Sequence, residues 1–365
     1  MRVVIALLLL SAPVRAGDAW PTWRGNPRQT GVAASALSTP LTLLWKQALG
    51  SPTRASPVIA GGRVYVGAQD GGVRALELAT GAIAWTYATT GPVESSVCAA
   101  GPLGYVGSAD RRLHAFALAD GKPAWTCATR EKVLGSPVRV GSLVIVGSYD
   151  QALHAVDAAT GKPGWTYETD GYVHATPAVD GGQLVFGGCD GSLHVVQADG
   201  KPVRKIPVGA YVAGSAAVDA GRAYVGHYGN RFVCVDLAAG KVVWEYEPGH
   251  SPVFSSPALA ADRVVFGARD RKVHCLSRNE GKLLWGRATR GRVDSSPVIA
   301  GDRVVVGSDD GVLRVLALSD GRELWTHDLG APIPGAAAVA DGRVVVAGAD
   351  GTVWCFAEYQ SGGAR

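Results

Sequence analysis

Residues 56–87 read SPVIAGGRVYVGAQDGGVRALELATGAIAWTY. Residues 56–59 form a short apolar strand that Gly61-Gly62 turns, and 63–67, rich in Val and Tyr, form a second. Asp70-Gly71 is an Asp-Gly hairpin signal, where positive φ is needed and these residue types tolerate it. Residues 73–78 give a third strand, Thr80-Gly81 turns again, and 83–87 give a fourth that carries Trp85. Four antiparallel strands in succession make one blade of a β-propeller.

The unit recurs on a period near 40. Asp70, Asp110, Asp150, Asp190, Asp270, Asp310 and Asp350 mark it, and the one remaining slot, in a repeat one residue short, holds Gly229. Trp45, Trp85, Trp125, Trp165, Trp244, Trp285 and Trp325 keep the same beat, with Arg204 in the eighth slot. A glycine stands four residues before most of them, as in Gly161-Lys-Pro-Gly-Trp165. Second strands such as LVIVG (143–147) and RVVVG (303–307) are nearly continuous apolar runs, which suit sheets covered on both faces. A period of this length with several strand signals per unit predicts an all-β fold, a single eight-bladed propeller of four-stranded antiparallel blades. The final unit, 336–358, has three strands, and Trp45 precedes any Asp turn. The strand 42–49 is therefore expected to complete the last blade and remove its open edge.

Of the 365 residues, 49 are glycine and 47% are apolar, a globular and strand-rich composition. Residues 1–16 read as a signal peptide: Arg2, an apolar run over 3–10, and Val14-Arg15-Ala16 as a small-x-small cleavage site. Export to the periplasm or beyond the cell is the expectation. Residues 17–40 are a lead-in whose Trp20 and Trp23 suggest that it packs on the ring; 41–359 are the propeller and 360–365 a tail. No cysteine follows the apolar run, so it offers no lipid attachment, and no later stretch nears the roughly 20 apolar residues of a membrane span. Formal charge is 35 − 31 = +4, and without Arg2 and Arg15 it is 33 − 31 = +2. That gives no electrostatic case for nucleic acid. The six cysteines include no adjacent or CxxC pair, and Cys234, Cys275 and Cys355 share one strand slot in different blades. Equivalent slots lie beyond disulfide reach, so buried free thiols are expected.

The chain has no GxSxG elbow, P-loop, HExxH or EF-hand loop, and no catalytic, cofactor or metal residues are assigned from its sequence. His114, His154, His194 and His274 each follow an Asp turn by four residues. That spreads them around a ring instead of converging them as metal ligands, so they read as packing groups. Repeated residues serve the fold; binding is sought in what differs between repeats. The loops entering each first strand vary most, and in a propeller they line the channel mouth. Arg54, Glu94, His174, Phe254 and Asp294 are the candidate binding residues of that mouth, in a series completed by Leu134, Ala213 and Pro334. Arg130, Glu131, Tyr172, Tyr211, His250, Arg290 and Arg292 neighbour them in sequence. A second candidate is the outer strand around Arg204, as an edge for an added peptide strand.

The units Ser295-Ser296-Pro297-Val298, Val304 to Gly311 and Gly321 to Trp325, with the opening Trp20-Pro-Thr-Trp23-Arg-Gly-Asn26, resemble the pyrroloquinoline-quinone (PQQ) type propeller repeat of bacterial envelope proteins. The resemblance covers 20–358. It implies that the tryptophans dock structurally between blades. One branch of the family holds quinoprotein dehydrogenases, which are longer and carry a vicinal disulfide and a Ca²⁺ site; neither matches positions here. The other holds the propeller subunit of the outer-membrane β-barrel assembly machinery, a scaffold of similar size and blade count. The resemblance thus implies an exported non-catalytic scaffold, monomeric, without cofactor, that holds a protein partner in the envelope or a small ligand. The alternative it leaves is a PQQ- and Ca-dependent dehydrogenase of alcohols or sugars.

Overall fold

The computed structural model describes residues 19–359; the expected signal peptide and C-terminal tail lie outside the described residues. Eight four-stranded antiparallel sheets follow one another along the chain. Blade 1 comprises Val58–Ala60, Arg63–Gly67, Gly72–Glu77 and Ile83–Ala88, from the channel axis outward. Blades 2 to 7 repeat it over 98–128, 138–168, 178–207, 217–246, 258–288 and 298–328. Blade 8 has Ala338–Ala340, Arg343–Ala347 and Thr352–Glu358, and Leu41–Ala48 pairs antiparallel as its fourth strand. The ring closes as the offset between Trp45 and the last unit predicts, with the closing strand starting one residue earlier. Second strands are buried almost throughout, whereas outer strands alternate toward solvent. Valine-rich layers between neighbouring blades supply the core.

Each outer strand carries one extra residue just before the Trp slot, as where Ala75 faces Trp85 but Leu76 faces Ile83. This bulge turns the indole out of its own blade. The ring then lies on the Gly turn of the next blade, and the indole N–H donates to a carbonyl there. Trp45 bonds Leu78 O at 2.9 Å and Trp285 bonds Leu318 O at 2.9 Å. A Cβ on Gly81 would sit 2.6 Å from Trp45. Arg204 takes the same place over Gly240. Trp325 packs instead against Phe356 and His327, because blade 8 has Leu41 where the glycine would stand.

The histidines also join blades. His114 Nε2 bonds Asp110 of its own turn at 3.0 Å, and the Tyr87 hydroxyl of the preceding blade bonds His114 Nδ1 at 2.9 Å. Tyr167–His194–Asp190 and Tyr246–His274–Asp270 repeat this triad. Arg74 and Arg314 replace histidine over Asp70 and Asp310. In blade 5 all three members change together: Ile206, Gly229 and Val233 stand in the tyrosine, aspartate and histidine slots, and Ile206 and Val233 are buried in one apolar cluster.

The lead-in packs across the ring. Short inner strands leave backbone groups unpaired toward the axis, which is costly when buried. Trp20 pairs with Ile59 of blade 1, and carbonyls of Pro21, Pro27, Arg28, Thr30 and Gly31 accept from Ala99, Val179, Val218, Leu259 and Ile299 of blades 2, 4, 5, 6 and 7. Arg24 is fully buried, and its guanidinium donates to the carbonyls of Ser296 and Pro297 in blade 7 and Pro257 in blade 6. Burial lowers its pKa to about 9, so it stays charged at neutral pH. The segment stops the channel from one side, and Trp23, whose indole N–H bonds Ser215 Oγ at 3.2 Å, faces the other.

Candidate functional site

At the open end, every blade builds the same bracket. The residue before the Asp turn donates its backbone N–H to a carbonyl in the entering loop, at 2.8–3.3 Å in all eight blades, as in Tyr149 to Lys132 and Tyr228 to Tyr211. The frame is constant and the side chains it presents are not. This is a rigid scaffold with variable loops, the usual place for recognition.

Arg54, Glu94, His174, Phe254 and Asp294 all line one cavity of about 260 Å³, with Leu134, Ala213 and Pro334 completing the circle and Trp23 included in the lining. Glu94 accepts from Gln69 Nε2 at 3.1 Å. Asp294 is held by Arg269, Nη2 to Oδ2 at 2.7 Å, and the same guanidinium lies 3.8 Å over the Phe254 ring. Arg54 is exposed and has no ion-pair partner among the described residues. Burial lowers the His174 pKa, and burial raises Tyr149 to about 12. The tyrosine therefore stays protonated, and its hydroxyl shares a 3.1 Å hydrogen bond with Nδ1 of neutral His174.

The rim is lopsided. Over blades 3 to 6 it carries Tyr149 stacked on Tyr172 at 4.9 Å, then Tyr211, Tyr228 and Phe254, with Tyr228 and Phe254 4.5 Å apart. Tyr172, Tyr211 and Tyr228 are about half exposed, and Lys132 caps the Tyr149 ring at 4.6 Å. His250 does not join the cavity lining; it stands in solvent beside Glu247.

Two sets of residues escaped the sequence reading. Gln69, Tyr149, Tyr228 and Arg269 sit immediately before the repeated turn residue, and the changing identity of that position is a signal that could have found them. The second set is a ring of hydroxyls below the mouth. Ser136, Thr176, Ser215, Ser256 and Ser296 each accept the backbone N–H of the equivalent residue one blade back, at 2.9–3.1 Å, and Ser56 accepts from Ala336 at 2.8 Å. Their 40-residue spacing was visible, but its meaning needs the ring.

Around blade 4, Lys205 Nζ bonds Asp170 and Asp190, and Pro202 and Pro207 bracket the outer strand. Prolines remove donors and lysines discourage pairing, so this edge is blunted toward a further strand.

The sequence matches the family described as outer membrane protein assembly factor BamB in four overlapping stretches, 36–103, 90–211, 204–291 and 269–362. The chain belongs to this family. Among solved structures it is similar to BamB from Moraxella catarrhalis, with 23% identity, TM-score 0.75, and 90% of this chain and 100% of that one covered. It is similar to a computationally designed protein, Ika8, at 18% identity, TM-score 0.77 and coverage of 90% and 99%. It is also similar to the quinohemoprotein alcohol dehydrogenase of Comamonas testosteroni, at 17% identity, TM-score 0.78 and coverage of 96% and 82%. At such identities these likenesses speak for the fold alone. A search of curated protein sequences gives no match.

Proposed function

We propose that this chain is an exported, non-catalytic scaffold of the cell envelope that holds a protein partner at the mouth of its channel, in the service of outer-membrane protein assembly. The observation that carries it is the rim: identical brackets in eight blades present a non-repeating set of side chains. Exposed tyrosines with Phe254 and Arg269 have the composition of protein-binding hot spots, which favour Tyr and Arg over Lys and Glu. The described residues contain no helix long and apolar enough to cross a membrane.

The test is capture of partners from envelope extract, with bound proteins identified by mass spectrometry. The wild type is expected to recover outer-membrane assembly subunits. The combined variant Arg54→Ala, Glu94→Ala, His174→Ala and Asp294→Ala is expected to lose them. Undiminished capture by a folded variant sinks the reading.

The second reading, a quinoprotein dehydrogenase, draws on the likeness to the alcohol dehydrogenase fold. The residues at the mouth do not suit a Ca²⁺–quinone pair. Asp294 and Glu94 are already engaged by Arg269 and Gln69, and among the described residues no group of three or more His, Cys, Asp or Glu is placed to hold a metal. All six cysteines are free thiols. Incubation with PQQ and Ca²⁺, followed by absorbance of bound quinone and alcohol- or sugar-dependent dye reduction, decides between the readings; signals in both assays would favour the dehydrogenase.

A further inference from the structure

We propose that the bottom of the mouth cavity binds an oxyanion, a carboxylate or phosphate group, through the ring hydroxyls with Arg54 at the lip. The proposal rests on the reading of the mouth as a binding site and names the chemistry at its floor.

The hydroxyls of Ser136, Thr176, Ser256 and Ser296 line the cavity although each residue is more than nine-tenths buried. Each accepts a backbone N–H, and none has a protein acceptor for its own proton. Ser215 accepts twice, from the Thr176 amide and the Trp23 indole, so both lone pairs are used and its proton must be donated elsewhere. The ring is thus a circle of donors converging on one space. A guest that offers only acceptors matches it, and buried donors left without acceptors are costly.

The charges agree. Arg24 is buried behind the floor at blades 6 and 7, bonded to carbonyls alone. Arg54 at the lip is unpaired among the described residues. Of the two cavity carboxylates, Asp294 is neutralised by Arg269, and Glu94 is the one acid held by a neutral partner, Gln69. Within the lining, one unpaired cation, Arg54, therefore faces one acid without a cationic partner, Glu94, and Arg24 adds a positive charge behind the floor.

The experiment titrates the purified protein with inorganic phosphate and, separately, with malonate at constant ionic strength, read by calorimetry and by shift of the melting temperature. Saturable binding of at least one is expected, and which one binds tells tetrahedral from carboxylate recognition. Ser256→Ala with Ser296→Ala is expected to weaken it about tenfold or more, and Ser256→Thr with Ser296→Thr to retain it. Should the alanine pair fail to fold, Arg54→Gln, at an exposed position, carries the test with an expected several-fold loss. Absence of saturable binding by either ion, or affinity unchanged in the folded variants, overturns the proposal. Partner capture measured on the same variants separates the two readings: capture intact without anion binding sinks the oxyanion site alone.

Discussion

An indole laid on a glycine turn is the contact that ties one blade to the next, and its tolerance can be measured one residue at a time. Gly281 has φ 69°, and an added Cβ would lie 2.6 Å from the Trp244 ring; Gly249 has φ 67° and open space around it. Alanine at either position bears the left-handed backbone cost, about 1–2 kcal/mol. At Gly281 it must also displace the indole, which adds about 1–3 kcal/mol. Urea unfolding of Gly281→Ala and Gly249→Ala is expected to show that margin, and equal losses would mean that the docked ring yields freely. The sequence displayed a glycine four residues before most of the tryptophans, and the family resemblance implied docking between blades, as is found. Which neighbour each ring meets was not legible: the bulge before each indole throws it onto the following blade, and no spacing along the chain announces that direction.

Between elements, the Tyr–His–Asp triads hold the outer strand of one blade against the third strand of the next. Asp110 and His114 are nearly sealed from solvent, with side chains 5% and 6% exposed. Burial alone would raise the Asp110 pKa; hydrogen bonds and charge from His114, with bonds from Thr90, outweigh it and hold the carboxyl below its usual range. Taking away one partner strands a buried carboxylate, so His114→Val is expected to cost about 3–5 kcal/mol. Blade 5 shows the compensated exchange, since Ile206, Gly229 and Val233 replace the whole triad with apolar contact. The triple variant Tyr87→Ile, Asp110→Gly, His114→Val is therefore expected to regain most of that loss, within about 1 kcal/mol of wild type. Denaturant midpoints for the single and triple variants check it; additive losses would show that the triads act as independent bonds. The aspartates were legible as turn formers and the histidines as packing groups spread around a ring. The tyrosine was not, because it lies 27 residues upstream in another blade and becomes a neighbour only when the ring forms.

At the scale of the molecule, blade count and closure could be read because a fixed period and a three-stranded final unit leave one way to finish the ring. The plug could not, since residues 20–33 make isolated bridges to six different inner edges and have no strand periodicity of their own. The candidate mouth residues were found by their variability, whereas the hydroxyl floor was hidden by its regularity. The closed ring also sets how stability responds to acid. His174, His194 and His227 are held below the ordinary histidine value of 6.5, each first by burial. A depressed folded pKa means that the neutral form is favoured in the fold, so the contribution is complete above 6.5 and is lost as pH falls from there through the folded values. His227 is the sharpest case: its Nδ1 accepts the Gly229 amide, so the ring's one proton sits on Nε2, which is buried without a partner; a second proton has only Nδ1 to enter, where it would displace the Gly229 bond and leave a buried charge. Asp110, Asp150 and Asp190 follow the same sign in a lower window, their bonds outweighing burial, and their contribution fails only as pH drops below about 4. Two steps of acid destabilisation are thus expected, the first beginning near 6.5. In His227→Asn, whose side-chain carbonyl can accept the Gly229 amide without titrating, unfolding free energies compared at about pH 7.5 and about pH 5.5 should differ less than in wild type, by up to about 1.4 kcal/mol for each unit of pKa depression removed. An identical pH slope in the two proteins would show that His227 takes up its proton without penalty, and that the interior around blade 5 is open to water.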